Sequence, residues 1–261
     1  MRVWSFVFVA LLCGISPAFA DFSACDAAYR ARDIDQKIVL YTTCINEGGL
    51  GREDRAGAYN NRGIAFEQLG KIDEALADFT SAIEMDPTWG TSYLNRAQIY
   101  VARRQWDLAK ADLTASVGMQ PANIRKDAYD LLLRVDLQLH DSAGMSADLK
   151  KLTGYEPNNV LYQRSRAWLL ATCDDASVRD GPEAVKAALK AVAIEDDYQN
   201  EDVLAAAYAE AGQFDEAIAS ETKAIDMAKR ASQATSVLEA RLALFQQHMP
   251  YHETPEPVME H

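Results

Sequence analysis

Histidine and cysteine are both scarce in this chain, with four of each among 261 residues. A hydrolytic centre built on a serine or cysteine needs a positioned base, usually histidine, and a metal site needs ligands at a fixed spacing. His248 and His252 have the i,i+4 spacing that can seat a metal on an intact helix, but Pro250 lies between them and disrupts that helix, so no metal is expected. No zinc-type cysteine pairing and no serine-nucleophile motif occur. Gly48, Gly49 and Gly51, in "EGGLGRED", match neither a dinucleotide-binding nor a P-loop signature and read as a connector, so no cofactor is expected. Positive charge is also in deficit: 26 Lys and Arg face 39 Asp and Glu, a formal net charge of −13. Such a chain repels nucleic acid and anionic lipid and favours a protein or peptide partner with a neutral or basic face.

Long apolar runs are missing beyond the first residues, so no membrane span is expected once those are removed. The opening "MRVWSFVFVALLCGISPAFAD" has a basic start at Arg2, an apolar run from Val3 to Ile15, and Pro17 ahead of Ala18-Phe19-Ala20. This is the pattern of a secretory signal peptide spanning 1–20 with cleavage after Ala20. The run is shorter than the ~20 residues that cross a bilayer comfortably, although a retained anchor is the alternative. Cys13 follows Leu11-Leu12 and lacks the small residue that precedes a lipid-attachment cysteine. The mature chain is therefore expected to be exported, periplasmic or secreted, where disulfides persist.

What the chain does have is a repeat. Placing "AGAYNNRGIAFEQLGKIDEALADFTSAIEMDP" (56–87) over "GTSYLNRAQIYVARRQWDLAKADLTASVGMQP" (90–121) matches Tyr59 with Tyr93, Arg62 with Arg96, Phe66 with Tyr100, Asp78 with Asp112 and Pro87 with Pro121, each offset by 34. A fixed period of this length signals a solenoid of helix pairs. Gly63 and Ala75 allow close backbone approach, while Tyr59, Phe66, Ile72 and Phe79 fill the seam at helical spacing. Gly70 supplies the turn after the first helix, and Asp86-Pro87 ends the second. A single hairpin cannot bury its apolar face alone, so neighbours must stack on it.

These aromatic, small-residue and proline positions resemble the tetratricopeptide repeat. The fold expected is all-α, a right-handed superhelical solenoid of about six antiparallel helix pairs with a C-terminal capping helix. Residues 21–52 form an atypical N-terminal hairpin, 53–247 the repeat array with its cap, and 248–261 a flexible tail. The copy ending at Pro157 is degenerate: it lies 36 residues after Pro121, and Asp136 stands where an aromatic is expected. "NNVLYQRSRAWLLATC" (158–173) and "DVLAAAYAEAGQFDEAIASETKAIDMAKR" (202–230) restart the pattern, and "SQATSVLEARLALFQQHMPY" reads as the cap.

Cys25 and Cys44 are equidistant from the turn of the first hairpin, which sets them opposite one another for a disulfide; two buried free thiols are the alternative. Arg62 and Arg96 take a register usually apolar in the family, and Asp78 and Asp112 follow sixteen residues after each. A structural ion pair within or between repeats is expected there, with direct partner contact by the arginines as the alternative.

The resemblance implies that the first helix of each pair lines a concave groove. In the two clearest units the groove-facing positions are Asn60, Asn61, Ile64 and Glu67, then Leu94, Asn95, Gln98 and Val101. Asparagine and glutamine there suit an extended peptide backbone, although an ordinary solvated polar face is the alternative. The paired lysines of the carboxylate-clamping subgroup are missing.

"WLLATCDDASVRDG" (168–181) places Cys173 beside Asp174 and Asp175 with no histidine nearby, and the aspartates would raise the thiol pKa. It reads as a semi-buried packing residue in an enlarged loop, with Arg179 paired to Asp174 or Asp175 and Asp180 capping the next helix ahead of Pro182. The function expected is a non-catalytic interaction scaffold or adaptor in the bacterial cell envelope. The alternatives are a regulatory subunit of a cell-wall enzyme and a thiol-dependent enzyme using Cys173.

Overall fold

The computed structural model describes residues 22–47, 49–119 and 122–253. The expected signal segment and the last eight residues lie outside that range. The described residues hold thirteen α-helices and no strand. The chain forms two compact units, which divide between Ile99 and Tyr100.

The first unit contains α1 (Phe22–Arg30), α2 (Ile34–Asn46), α3 (Arg52–Gln68), α4 (Ile72–Met85) and most of α5 (Gly90–Ala102). Asp33 starts α2 by accepting from the Gln36 amide at 2.8 Å, an N-cap that satisfies one of the free donors of the first turn. A disulfide joins Cys25 to Cys44 across the hairpin, with 5.3 Å between their Cα atoms, and Ala24, Ala28, Tyr41 and Ile45 pack around it. In the next pair Phe79 is fully buried. It lies so near Gly63 that a Cβ there would meet its ring at 2.7 Å, so the small residue is what admits the aromatic.

The expected pairing of Arg62 with Asp78 is present and bidentate, at 2.7 Å on both arms. A third arm reaches Thr42 Oγ1 on α2 at 3.0 Å, and the guanidinium lies over the rings of Tyr59 and Phe66. Thus one side chain ties α2, α3 and α4 together. The hydrogen bonds to the Asp78 carboxylate hold its charge firmly and outweigh the cost of burial, which raises the Arg62 pKa. Arg96 repeats the stacking, over Tyr93, and donates to Thr80 Oγ1 at 3.1 Å. Asp112 is buried on α6 of the second unit.

The second unit contains α6 (Trp106–Met119), α7 (Ala122–Gln138), α8 (Ser142–Tyr155), α9 (Val160–Thr172), α10 (Gly181–Ile194), α11 (Tyr198–Glu210), α12 (Phe214–Arg230) and α13 (Ser236–Phe245). Each packs on the next in order, and α9 also packs on α11. Alanines dominate the tightest part of the core: Ala167, Ala184, Ala188, Ala205 and Ala217 show no measurable exposure. Small side chains let helix axes approach, and the closest approach is at Gly181, where a Cβ would meet the Ala211 amide nitrogen at 2.6 Å. Phe245 of α13 is fully buried against this core, as a capping helix requires.

In four of the pairs the turn after the first helix uses a residue in the left-handed region. Gly70 and Gly212 fill that place at φ 73° and 76°, but Arg104 and His140 adopt φ 57° and 53°. A side chain in this conformation costs about 1–2 kcal/mol. Because His140 is exposed, His140→Gly is expected to raise stability by about 1 kcal/mol in urea unfolding, after allowance for the greater freedom of glycine in the unfolded chain.

The degenerate copy is held by charge where its relatives use an aromatic ring. Asp136 is 1% exposed and pairs with Lys110 at 2.7 Å, and Lys110 also meets Asp141. Gly144 leaves the space: any Cβ there would overlap the Asp136 carboxylate. Asp148 is buried beside this group, and burial, reinforced by Asp136, pushes its carboxyl up to about 7. The folded protein therefore keeps a proton that the unfolded chain has released above its ordinary value of 3.8, so stability falls as pH rises from about 4 to 7. Asp148→Asn is expected to flatten that loss. In urea unfolding it should match the parent at pH 4 and exceed it at pH 8.

Candidate functional site

In the first unit the positions nominated for the groove do not form one surface. Asn60 is 3% exposed, and its Oδ1 accepts from Ser92 Oγ at 3.1 Å and from Asn95 Nδ2 at 3.0 Å, while its own amide donates to Asn61 Oδ1. Asn60 and Asn95 thus fasten α3 to α5, because a buried amide must be satisfied inside the protein. Leu94 is buried as well, and Ile64 packs half-buried against the Phe79 core. Neither Asn60 nor Leu94 presents a face to a ligand, contrary to expectation. Asn61 lines a small hollow of about 260 Å³ with Tyr29, Tyr41 and Trp89. Glu67 is half-buried, which lifts its carboxyl above the usual range. Gln98 is exposed and Val101 half-buried.

The large groove lies in the second unit. It measures about 650 Å³ and is built chiefly by three successive first helices: Leu133, Arg134 and Leu137 from α7, Arg164, Trp168 and Leu169 from α9, and Gln199, Asp202 and Val203 from α11. Met145 and Leu149 of α8 close its floor. Leu137 remains 54% exposed, an apolar side chain left facing solvent inside a concave wall. These residues were within reach of the repeat register. The turns at Arg104 and His140 lie 36 residues apart, and the same step carries Gln98 to Arg134 and Val101 to Leu137. The two-residue insertion falls within α7 and hides the correspondence.

One end of the groove is closed by a buried charge cluster. Arg241 of α13 is bidentate with Asp202 at 2.8 and 2.6 Å, lies 3.9 Å from Glu221 on α12, and sits over the rings of both Trp168 and Tyr251. Burial lifts both carboxyls. The proton settles on Glu221, which lacks the bidentate arginine and is pushed up to about 9 by burial and by the charge on Asp202. Glu221 is accordingly neutral at pH 7, and Asp202 is balanced by Arg241.

Residues 248–253, expected at the start of a flexible tail, are bound instead. Glu253 accepts from the Trp168 indole at 2.7 Å and its amide donates to the Thr172 carbonyl, also at 2.7 Å. Tyr251 packs on Trp168, His252 Nε2 lies 2.7 Å from Glu210, and His248 stacks on Phe214. Both histidines are thus engaged in packing, and no metal-binding group occurs among the described residues.

Cys173 is 3% exposed and enclosed by Leu149, Leu169 and Val178, so it is more deeply buried than expected. Its Sγ lies 3.6 Å from Asp174 Oδ1. Arg179 does fix the loop, but not through the carboxylates of the neighbouring aspartates. It donates to the Cys173 and Asp174 carbonyls at 2.6 and 3.2 Å and pairs with Glu210 at 3.0 Å. Asp175 instead accepts from Ser177. Asp180 caps α10 by accepting from the Glu183 amide at 3.1 Å, with Pro182 in the first turn.

Comparison with known proteins agrees with this architecture. The tetratricopeptide repeat family matches residues 56–88. The DnaJ homolog subfamily C member 7 of Homo sapiens is 30% identical over 119 residues, covering 46% of this chain and 23% of that protein. Its homolog in Dictyostelium discoideum is 29% identical over 128 residues, covering 42% and 24%. The chain therefore aligns with about a quarter of the length of these relatives. Among solved structures, YrrB superposes with a TM-score of 0.55 at 20% identity, over 80% of this chain and 98% of that one. A MamA structure gives 0.51 at 19%, over 72% and 97%. The 34-residue register, the consecutively packed helices and the match over residues 56–88 show that this chain carries a tetratricopeptide repeat and shares the helical-repeat fold of these structures.

Proposed function

We propose that this chain is an exported, non-catalytic scaffold or adaptor of the bacterial cell envelope that binds a segment of a partner protein in the groove of its second unit. The observation that carries the reading is the hollow of about 650 Å³ offered by α7, α9 and α11, with an apolar floor and exposed Leu137. YrrB, which shares the fold, is described as a TPR protein with an unusual peptide-binding site, and this supports peptide capture as the mode. The enclosed position of Cys173 favours a packing role over that of a nucleophile. Export is supported by the pattern of residues 1–20 and by the Cys25–Cys44 bridge, which suits an oxidising compartment.

Affinity capture with the mature chain tests the reading. Leu137→Glu should abolish partner recovery, while Cys173→Ser and the pair Asn61→Ala with Asn95→Ala should leave it intact. Recovery that survives Leu137→Glu would place the interaction elsewhere, and fractionation that found the chain in the cytoplasm would remove the export reading.

A further inference from the structure

The sign of charge in the groove is opposite to that of the chain. Against a net charge of −13, the groove is lined by three arginines and two carboxylates, Asp202 and Glu253. Asp202 is spent on Arg241, and Glu253 is held at one end by the Trp168 indole. Arg134 is exposed and makes no ion pair among the described residues. Arg164 donates to the Gln199 amide oxygen at 2.9 Å, and its nearest carboxylate, Asp197, is 3.9 Å away. The Arg134 guanidinium is therefore left to face a ligand, and Arg164, held by Gln199 and more loosely by Asp197, lines the same wall.

Their placement is regular. Arg134 lies one helical turn before Leu137 on α7, and Arg164 one turn before Trp168 on α9, so each helix presents an arginine and an apolar side chain on one face. A strip of positive charge runs beside a strip of apolar surface. Guanidinium forks select planar carboxylates, and a concave low-dielectric wall strengthens that selection.

We infer, resting on the groove reading above, that the occupant is a partner peptide segment in which leucine-, isoleucine- or phenylalanine-sized side chains are flanked by aspartate or glutamate, with its carboxylates on Arg134 and Arg164. The acidic surface of the rest of the chain then serves to repel such segments everywhere but the groove. This reverses the partner charge expected from overall composition.

A library of random short peptides, selected against the full mature chain, tests the inference. The expected result is enrichment of acidic residues interspersed with large apolar ones. Arg134→Glu, at an exposed position that leaves helicity by circular dichroism unchanged, should weaken the enriched peptides by about tenfold or more. Selection against Arg134→Glu should shift enrichment toward lysine and arginine. If the enriched peptides are neutral or basic yet depend on Leu137, the acidic inference is overturned and the groove reading stands. If nothing is enriched, or enrichment is indifferent to Leu137→Glu, the groove reading fails and the inference with it.

Discussion

Replacing Arg241 with alanine is expected to destabilise the second unit by about 3–5 kcal/mol in urea unfolding, because it strands a charge inside the protein. Arg241 is 8% exposed, and its guanidinium is the bidentate partner of Asp202 and lies over both the Trp168 and Tyr251 rings. Truncation leaves the Asp202 carboxylate half-buried and unpaired, and also unseats the aromatic pair that holds residues 251–253. If the loss comes from the stranded charge, Arg241→Met combined with Asp202→Leu should restore most of it, since an apolar replacement of a buried ion pair is often neutral. Glu221 adds a pH signature. Its carboxyl stays protonated in the folded state up to about 9 but ionises near 4.5 in the unfolded chain. The folded state thus holds the extra proton across that window, so stability declines as pH rises through it. Glu221→Gln should remove the part of the decline that Asp148 does not cause, including all of it between about pH 7 and 9, and be more stable than the parent at pH 8.

Loss of the Cys25–Cys44 disulfide is expected to cost about 3 kcal/mol, the value for a loop of this size, and the cost should fall on the first unit. The bridge spans 19 residues and clamps α1 to α2, a hairpin whose α1 packs chiefly on α2 and whose α2 packs onward on α3. The double change Cys25→Ser with Cys44→Ser should accelerate amide exchange throughout 22–46 while leaving the second unit protected. Adding a reductant to the parent should reproduce the effect. If the two cysteines were free thiols, reductant would change nothing.

Much of the architecture was legible because it depends on local signals. The 34-residue step marks Gly63 as a place of close approach and Arg62 and Asp78 as an ion pair; Phe79 makes the approach at Gly63, and Arg62 meets Asp78. Asp180 and Pro182 mark the start of α10 as any capped helix start would. The site was less legible because it depends on which polar groups are already satisfied. Asn60 and Asn95 look free in sequence, yet they bond to each other between neighbouring helices. Arg134 and Leu137 follow the same register, but an insertion of two residues within α7 displaces them from view.

Long-range partners account for the remaining differences. Helical structure ends at Phe245, ahead of Pro250, and a segment without helix reads as a tail, but His252 finds Glu210 across 42 residues and Glu253 finds Trp168 across 85. Likewise Arg179 pairs with Glu210, 31 residues on, in preference to the adjacent aspartates, whose side chains are turned to their own loop. No local pattern carries such distances. A buried carboxylate in place of an aromatic, as at Asp136, is visible in sequence only as a mismatch; its meaning comes from Lys110 and from the space left at Gly144.

The central claim is that the groove between α7, α9 and α11 is where a partner sits. A photo-crosslinking amino acid placed at Leu137 in cells that produce the protein tests it most directly, beside the same residue at Gln98 in the first unit and at exposed Leu189 on α10. The prediction is one discrete crosslinked product from position 137, lost on Arg134→Glu, with none from 98 or 189. Equal products from all three positions, or a product from 98 alone, would contradict it.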